Sequence, residues 1–234
     1  MPGRSVSVAP GGYARPGQID SLSTVHAMPS SREPLLKPVV ISELRPTQMT
    51  VGMREVDERR RHIRAGRKAG GTKFFERHMI PVVLGPKGRH YVIDHHHLAR
   101  ALEEEGIEEI FVTITADLSM LGQDAFWIVL DNRGWMHPFD SKGRRCTYDE
   151  IPLAICDLAD DPFRSLAGAL RRVGGFAKDT TPFSEFLWAD FLRRRMKRAA
   201  VKQNFDRALA AALRLAKSKD ADYLPGWCGP AGDD

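Results

Sequence analysis

Cysteine is scarce in this chain. Its 234 residues include three, Cys146, Cys156 and Cys228, and none stands in CxxC spacing. An odd count without that spacing argues against a disulfide framework and against a thiolate zinc site. A cytoplasmic, reducing compartment is the expectation. Long apolar runs are missing too. No stretch reaches the roughly 18 residues a membrane helix needs, so no membrane partner is expected. The first 35 residues have no apolar h-region, so no secretory signal is expected in them. Aromatic residues are few, at 8%, yet 42% hydrophobic and 28% charged residues make an ordinary globular composition.

Charge is present in both signs, and its distribution is uneven. The formal net charge of +5 conceals blocks of opposite sign. Residues 41–100 carry 13 basic and 6 acidic side chains, residues 101–161 carry 4 and 14, and residues 162–234 carry 14 and 8. Two basic blocks flank an acidic one, which points toward a polyanionic partner without requiring it.

The element order predicts a mixed α/β (α+β) fold. Residues 1–37, rich in Pro and Gly, read as a flexible tail. Residues 38–120 read as an α/β domain, 121–220 as a mainly helical extension packed on it, and 221–234 as an irregular tail. Val39-Val40-Ile41 is β-like. A helix is expected from Pro46, with Thr47 and Gln48 in its first turn and Gly66, Gly70 and Gly71 as its stop. Ile80 to Leu84 and Arg89 to Ile93 form a hairpin around Gly85-Pro86-Lys87-Gly88. Leu98 to Glu105 contains strong helix formers and is closed by Gly106 at a C′ position. Ile110 to Thr115 is the next strand. Helices are expected over Gln123–Leu130, Phe163–Val173, Pro182–Arg198 and Phe205–Lys217. Phe183, Phe186, Trp188 and Phe191 take helical spacing as core.

Asp94-His95-His96-His97 lies between a strand end and a helix start. Asp94 suits an N-cap, with the three histidines at N1 to N3. A helix N-terminus offers free N–H groups and a positive dipole end, where phosphates bind. Imidazoles beside it can donate to phosphate oxygens or move a proton. The i, i+4 spacing of a helical metal pair is absent.

The Asp94-His95-His96-His97-Leu98-Ala99-Arg100-Ala101-Leu102 box after a hairpin resembles the ParB-like nuclease family of the ParB/sulfiredoxin superfamily. Further boxes on either side carry the same resemblance. Upstream are Leu44-Arg45-Pro46-Thr47-Gln48 through Glu55-Val56. Downstream are Asp161 to Gly168 and Glu185 to Phe191. The resemblance implies a small sheet with a hairpin and a central helix, followed by a mainly helical C-terminal part. In relatives the turn equivalent to Asp94–Arg100 reads G-x-R-R, G-C-H-R or D-G-H-H-R and grips nucleotide phosphates. Partitioning members hydrolyse CTP, sulfiredoxin uses ATP, and others phosphorylate free serine. This chain has no cysteine in the box, and it has His95 where D-G-H-H-R has glycine.

The expected function is binding of a phosphorylated ligand, nucleotide or nucleic acid, with phosphodiester or phosphoanhydride hydrolysis. His96 is the expected general acid/base, with His95 beside it, and Asp94 orients the loop or a metal ion. Glu55 faces His96 as a further catalytic candidate. Thr47, Gln48, His97 and Arg100 are the candidate phosphate contacts. The cofactor stays open, with a nucleotide and Mg2+ as the candidate. Asp161 and Arg164 are expected to form a helix-start cap and ion pair. Arg193, Arg194, Arg195, Lys197 and Arg198 could grip nucleic-acid phosphates, although such a run also suits a solvated helix face. Two alternatives stand beside this reading. One is a free-serine-type kinase with Glu55 or Asp94 as base. The other is a non-catalytic DNA-binding or partner protein.

Overall fold

The computed structural model describes residues 36–68 and 79–230. The expected tail before residue 36 and the glycines Gly70 and Gly71 lie outside the described residues. The main sheet contains β1 (Leu36–Val40), β3 (Ile80–Leu84), β4 (His90–Val92) and β5 (Glu109–Asp117), in the order β1-β5-β3-β4. β5 pairs antiparallel with β1 and parallel with β3, and β4 returns antiparallel on β3 as a hairpin. A parallel pair needs a crossover. Here the connection from β3 to β5 runs through β4 and the central helix α2 (His96–Glu104). Gly106, at φ +66°, ends α2, as its C′ position requires.

The apolar stripe of α1 (Met53–Lys68) joins α2 and one sheet face in a core that includes Val56, Ile63, Val82, Leu98, Leu102 and Val112. An aromatic cluster of Tyr91, Phe126 and Trp127 packs α3 (Gln123–Asn132) against the hairpin. The helical part contains α4 (Pro162–Arg172), α5 (Ser184–Arg195), α6 (Arg198–Gln203) and α7 (Phe205–Ala216). Its separate core includes Leu166, Leu170, Trp188, Phe191 and Ala212. A mixed α+β architecture with a small curled sheet and a largely helical C-terminal region is thus what forms.

Several local expectations are corrected. The helix expected at Pro46 begins only at Met53. Residues 45–51 are extended instead, because their backbone finds distant partners. Arg45 bridges Tyr91, Gln48 bridges His137, and β2 (Thr50–Val51) pairs with β6 (Ala159–Asp160). Gly66 does not stop α1, which continues to Lys68; one interior glycine costs a helix only about 1 kcal/mol. The single helix expected over 182–198 is broken at Met196, whose backbone is extended. Asp161 does cap α4, accepting from the Phe163 amide at 3.0 Å, but its ion pair is with Arg193 at 2.5 Å, not with Arg164. Trp188 and Phe191 are core, whereas Phe183 and Phe186 are half-buried.

Gly85 lies at the hairpin turn beneath the aromatic cluster. A Cβ there would fall 2.5 Å from the Tyr91 ring and 2.7 Å from Phe126. Gly85→Ala is expected to cost about 1–3 kcal/mol by overpacking, measured by urea unfolding against the wild type. An unchanged unfolding midpoint would contradict this packing.

Candidate functional site

The Asp94–His97 turn does not form as the sequence suggests. His95, not Asp94, is the N-cap of α2, and it has a left-handed backbone at φ +64°. That region strains a non-glycine residue, and it is the position at which D-G-H-H-R relatives have glycine. Asp94 holds the bend by accepting from the His95 amide at 2.6 Å. Leu98 and Ala99 both donate to the His95 carbonyl. The His96 and His97 amides are left without a partner among the described residues, as expected at a helix start.

The three histidines have three environments. His95 is half-exposed, with Nδ1 3.2 Å from the Met79 carbonyl. His96 is 4% exposed, and its Nε2 accepts from the Thr47 amide at 3.1 Å. Burial and the neighbouring His97 and His95 push its pKa down to about 3, against a backbone hydrogen bond with Val92 that works to raise it. His96 is therefore a neutral structural acceptor near pH 7, not an exposed general acid/base. Thr47 shares that structural role. Its hydroxyl lies 2.7 Å from the Val92 carbonyl and 2.8 Å from that of Trp135.

His97 stands apart. Its Nε2 lies 2.9 Å from Glu55 Oε2 and 2.9 Å from the Gly52 amide. One ring nitrogen cannot donate to the carboxylate and accept from the amide at once. Glu55 therefore faces His97, not His96 as expected. Burial works to raise the Glu55 pKa, but the hydrogen bond with His97 and the charge of Arg164 outweigh it and hold the group at about 2. Burial also lowers the His97 pKa, against the pull of Glu55.

Arginines complete the network. Arg164 reaches Glu55 at 3.1 Å and also pairs with Glu185. Arg171 holds Glu185 at 2.8 Å, and Arg172 approaches Glu55 at 3.4 Å. The Arg164 Nε is buried without a partner. The approach of α4 to α1 depends on glycine, because a Cβ at Gly168 would fall 2.0 Å from Glu55 Oε1.

These groups line a cleft of about 890 Å³. Gln48, Glu55, Asp94, His95, His96 and His97 border it, as do Arg164, Arg171, Arg172 and Lys178. Phe183, Phe186 and Trp135 give it an aromatic side. Gln48 is buried and donates to the Thr50 carbonyl at 2.8 Å.

Arg100 is not part of this lining. It pairs with Glu104 at 2.7 Å and donates to the carbonyls of Ile155 and Leu158. The basic run 193–198 is largely engaged internally. Arg193 binds Asp161 and Asp190, Arg194 binds Asp190, Arg195 covers Phe191, and Arg198 binds Ser141 and the Asp160 carbonyl. Lys197 is exposed. Sequence reading missed Arg171, Arg172 and Glu185 as cleft residues, and their separation from the Asp94 box hides them. Among the described residues no group of three or more His, Cys, Asp or Glu side chains could hold a metal ion. Glu55 is already hydrogen-bonded to His97 and paired with Arg164 and Arg172, so none of these residues is assigned to a metal.

The family model described as "Putative ParB-like nuclease" matches residues 37–194. The chain belongs to this family. Its fold matches the crystal structure of protein Atu1540 from Agrobacterium tumefaciens, at 52% identity and a TM-score of 0.78, over 85% of this chain and all of that one. The C-terminally truncated chromosome-partitioning protein ParB from Caulobacter crescentus, solved with CTP-γS, has 12% identity over 80% of this chain and 94% of its own. Its TM-score is 0.29, too low to carry a ligand across. The comparison with curated proteins gives no match. Among the described residues no helix is long and apolar enough to cross a membrane.

The buried histidines make stability depend on pH. His137, tilted against Phe186 with ring centroids 4.0 Å apart, has its pKa pushed down to about 3 by burial and by Arg164 and Arg193, against Asp190, which works to raise it. A depressed folded pKa means the neutral form is favoured. Its stabilisation is present above the unfolded value near 6.5 and is lost as pH falls toward 3. Each such histidine should remove about 2 kcal/mol by pH 5. Unfolding of wild type and His137→Phe at pH 7 and pH 5 checks this, and the variant is expected to lose less. Equal losses would contradict the buried neutral ring.

Proposed function

We propose that the cleft binds a small phosphorylated ligand, a nucleotide in the first instance, and hydrolyses its phosphoester or phosphoanhydride bond. One observation carries this reading. The unpartnered amides at the start of α2 border the same cleft as the guanidinium groups of Arg164, Arg171 and Arg172. Helix-start amides and arginines are the donors phosphate oxygens select. A cleft of about 890 Å³ is within the size range of small-ligand sites. The internal pairing of Arg193 and Arg198 takes those two guanidinium groups out of the basic run.

In this reading the acid/base work moves from His96 to His97. The proton sits on Nε2 and points at Glu55, the Gly52 amide gives up its hold on that nitrogen, and the Nδ1 lone pair is left to take a proton. A carboxylate that orients an imidazole makes it a competent base toward water. Arg171 and Arg172, at the more exposed end of the network, would take phosphate charge. His95 and Asp94 shape the turn, and Gln48 lines the cleft.

The test is a thermal-shift panel of nucleotides and pyrophosphate, followed by product analysis. A ligand at a hundredfold excess over its Kd adds about 2.7 kcal/mol of stability, a rise of several degrees in midpoint. Glu55→Gln is expected to retain binding and to lower hydrolysis by about 10²- to 10⁴-fold. No shift with any phosphorylated probe would refute the reading. Full hydrolysis in the variant would remove Glu55 and His97 from the chemistry.

A further inference from the structure

Part of the cleft wall is the loop between α4 and α5. Lys178, Asp179, Pro182 and Phe183 of this loop line the cleft, and most of the loop is exposed. Gly174, at φ +77°, begins it, and Phe183, at φ +57°, ends it in a left-handed conformation. An exposed loop that ends on a strained, left-handed Phe183 holds one shape only if something fixes its base.

The fixing element comes from residues 224–227, beyond the 37–194 span of the family match. The Ala177 amide donates to the Gly226 carbonyl at 2.7 Å. Phe176, 2% exposed, stacks on Trp188 with centroids 4.4 Å apart and planes 9° apart. Trp188, fully buried, donates its indole N–H to the Pro225 carbonyl at 2.9 Å. Leu224 is buried and Trp227 packs against the same helical core. Gly226 has φ +72°, and a Cβ on it would fall 2.2 Å from the Ala177 carbonyl oxygen. The two backbones approach so closely that only glycine fits between them.

We infer that the segment Leu224–Trp227 is a brace that fixes the base of the loop and so positions Lys178 and Phe183 on the cleft wall. The Pro-Gly-Trp run near the C-terminus is then part of the site's construction. Its residues touch no ligand; they act through Ala177, Phe176 and Trp188. The effect on ligand binding rests on the proposed phosphate reading, whereas the effect on the loop does not.

Hydrogen exchange of the full chain tests the brace directly. Gly226→Ala inserts the clashing Cβ. Gly229→Ala is the control, because Gly229 has φ +82° but nothing within 4 Å of a built Cβ. Exchange at residues 176–183 is expected to rise about tenfold in Gly226→Ala, with the α2 and sheet amides unchanged and the control close to wild type. Trp188→Phe keeps the stack on Phe176 but removes the donor to Pro225, and it should loosen the same loop if Gly226→Ala folds poorly. Pyrophosphate serves as the binding probe, with an expected loss in affinity of about threefold or more in Gly226→Ala. Equal loop exchange in wild type and both variants overturns the brace. So does a uniform rise across all amides, which would mean global destabilisation instead. A loosened loop with unchanged pyrophosphate affinity overturns the positioning role. If the wild type itself fails to bind pyrophosphate or any nucleotide, the phosphate reading fails, and the exchange result still decides the brace.

Discussion

The hydrogen bond from the Thr47 amide to Nε2 of buried His96 ties the extended 45–51 segment to the start of α2. The Thr47 hydroxyl then reaches the end of β4 through Val92 and the loop after α3 through Trp135, and its carbonyl accepts from the His137 amide. All of this requires an uncharged imidazole, because a protonated ring has no lone pair to offer the amide. Burial supplies that condition by pushing the ring's pKa to about 3. One neutral side chain thus sets the relation of three segments bordering the cleft.

With His96 occupied in this way, its neighbour is placed differently. One residue along a helix is about 100° of rotation, which turns His97 toward α1 and Glu55. Glu55 is the centre of a partly buried charge network with Arg164, Arg172 and, through Arg164, Glu185. Removing one member of such a network leaves an uncompensated charge and costs about 3–5 kcal/mol. The same network keeps guanidinium groups poised at the cleft. Stability and the proposed phosphate affinity therefore draw on the same side chains.

Much of this was legible in the sequence. The hairpin, the strand after Gly106 and the amphipathic helices follow from short-range patterns, and the structure has them. The Asp94–His97 box marked one border of the cleft. What was hidden depends on contacts distant along the chain. Pro46-Thr47-Gln48 reads as a helix start because nothing local reveals that Val92, Trp135 and His137 will claim its polar groups. The three histidines are alike as letters, and only packing separates a neutral core acceptor from a partner of Glu55. Arg100 seemed suited to a phosphate by its place in the box, yet the carbonyls of Ile155 and Leu158 absorb it. Arg171, Arg172 and Glu185 reach the site from α4 and α5, which no local motif links to α2.

The division of labour between His96 and His97 is open to direct measurement. Nuclear magnetic resonance of the protein carrying labelled histidine follows each ring through pH. The account predicts that His96 stays neutral from pH 8 down to about 5, with its lone pair on Nε2, in line with a pKa of about 3. A His96 ring that titrates near 6.5, like a free imidazole, would contradict it.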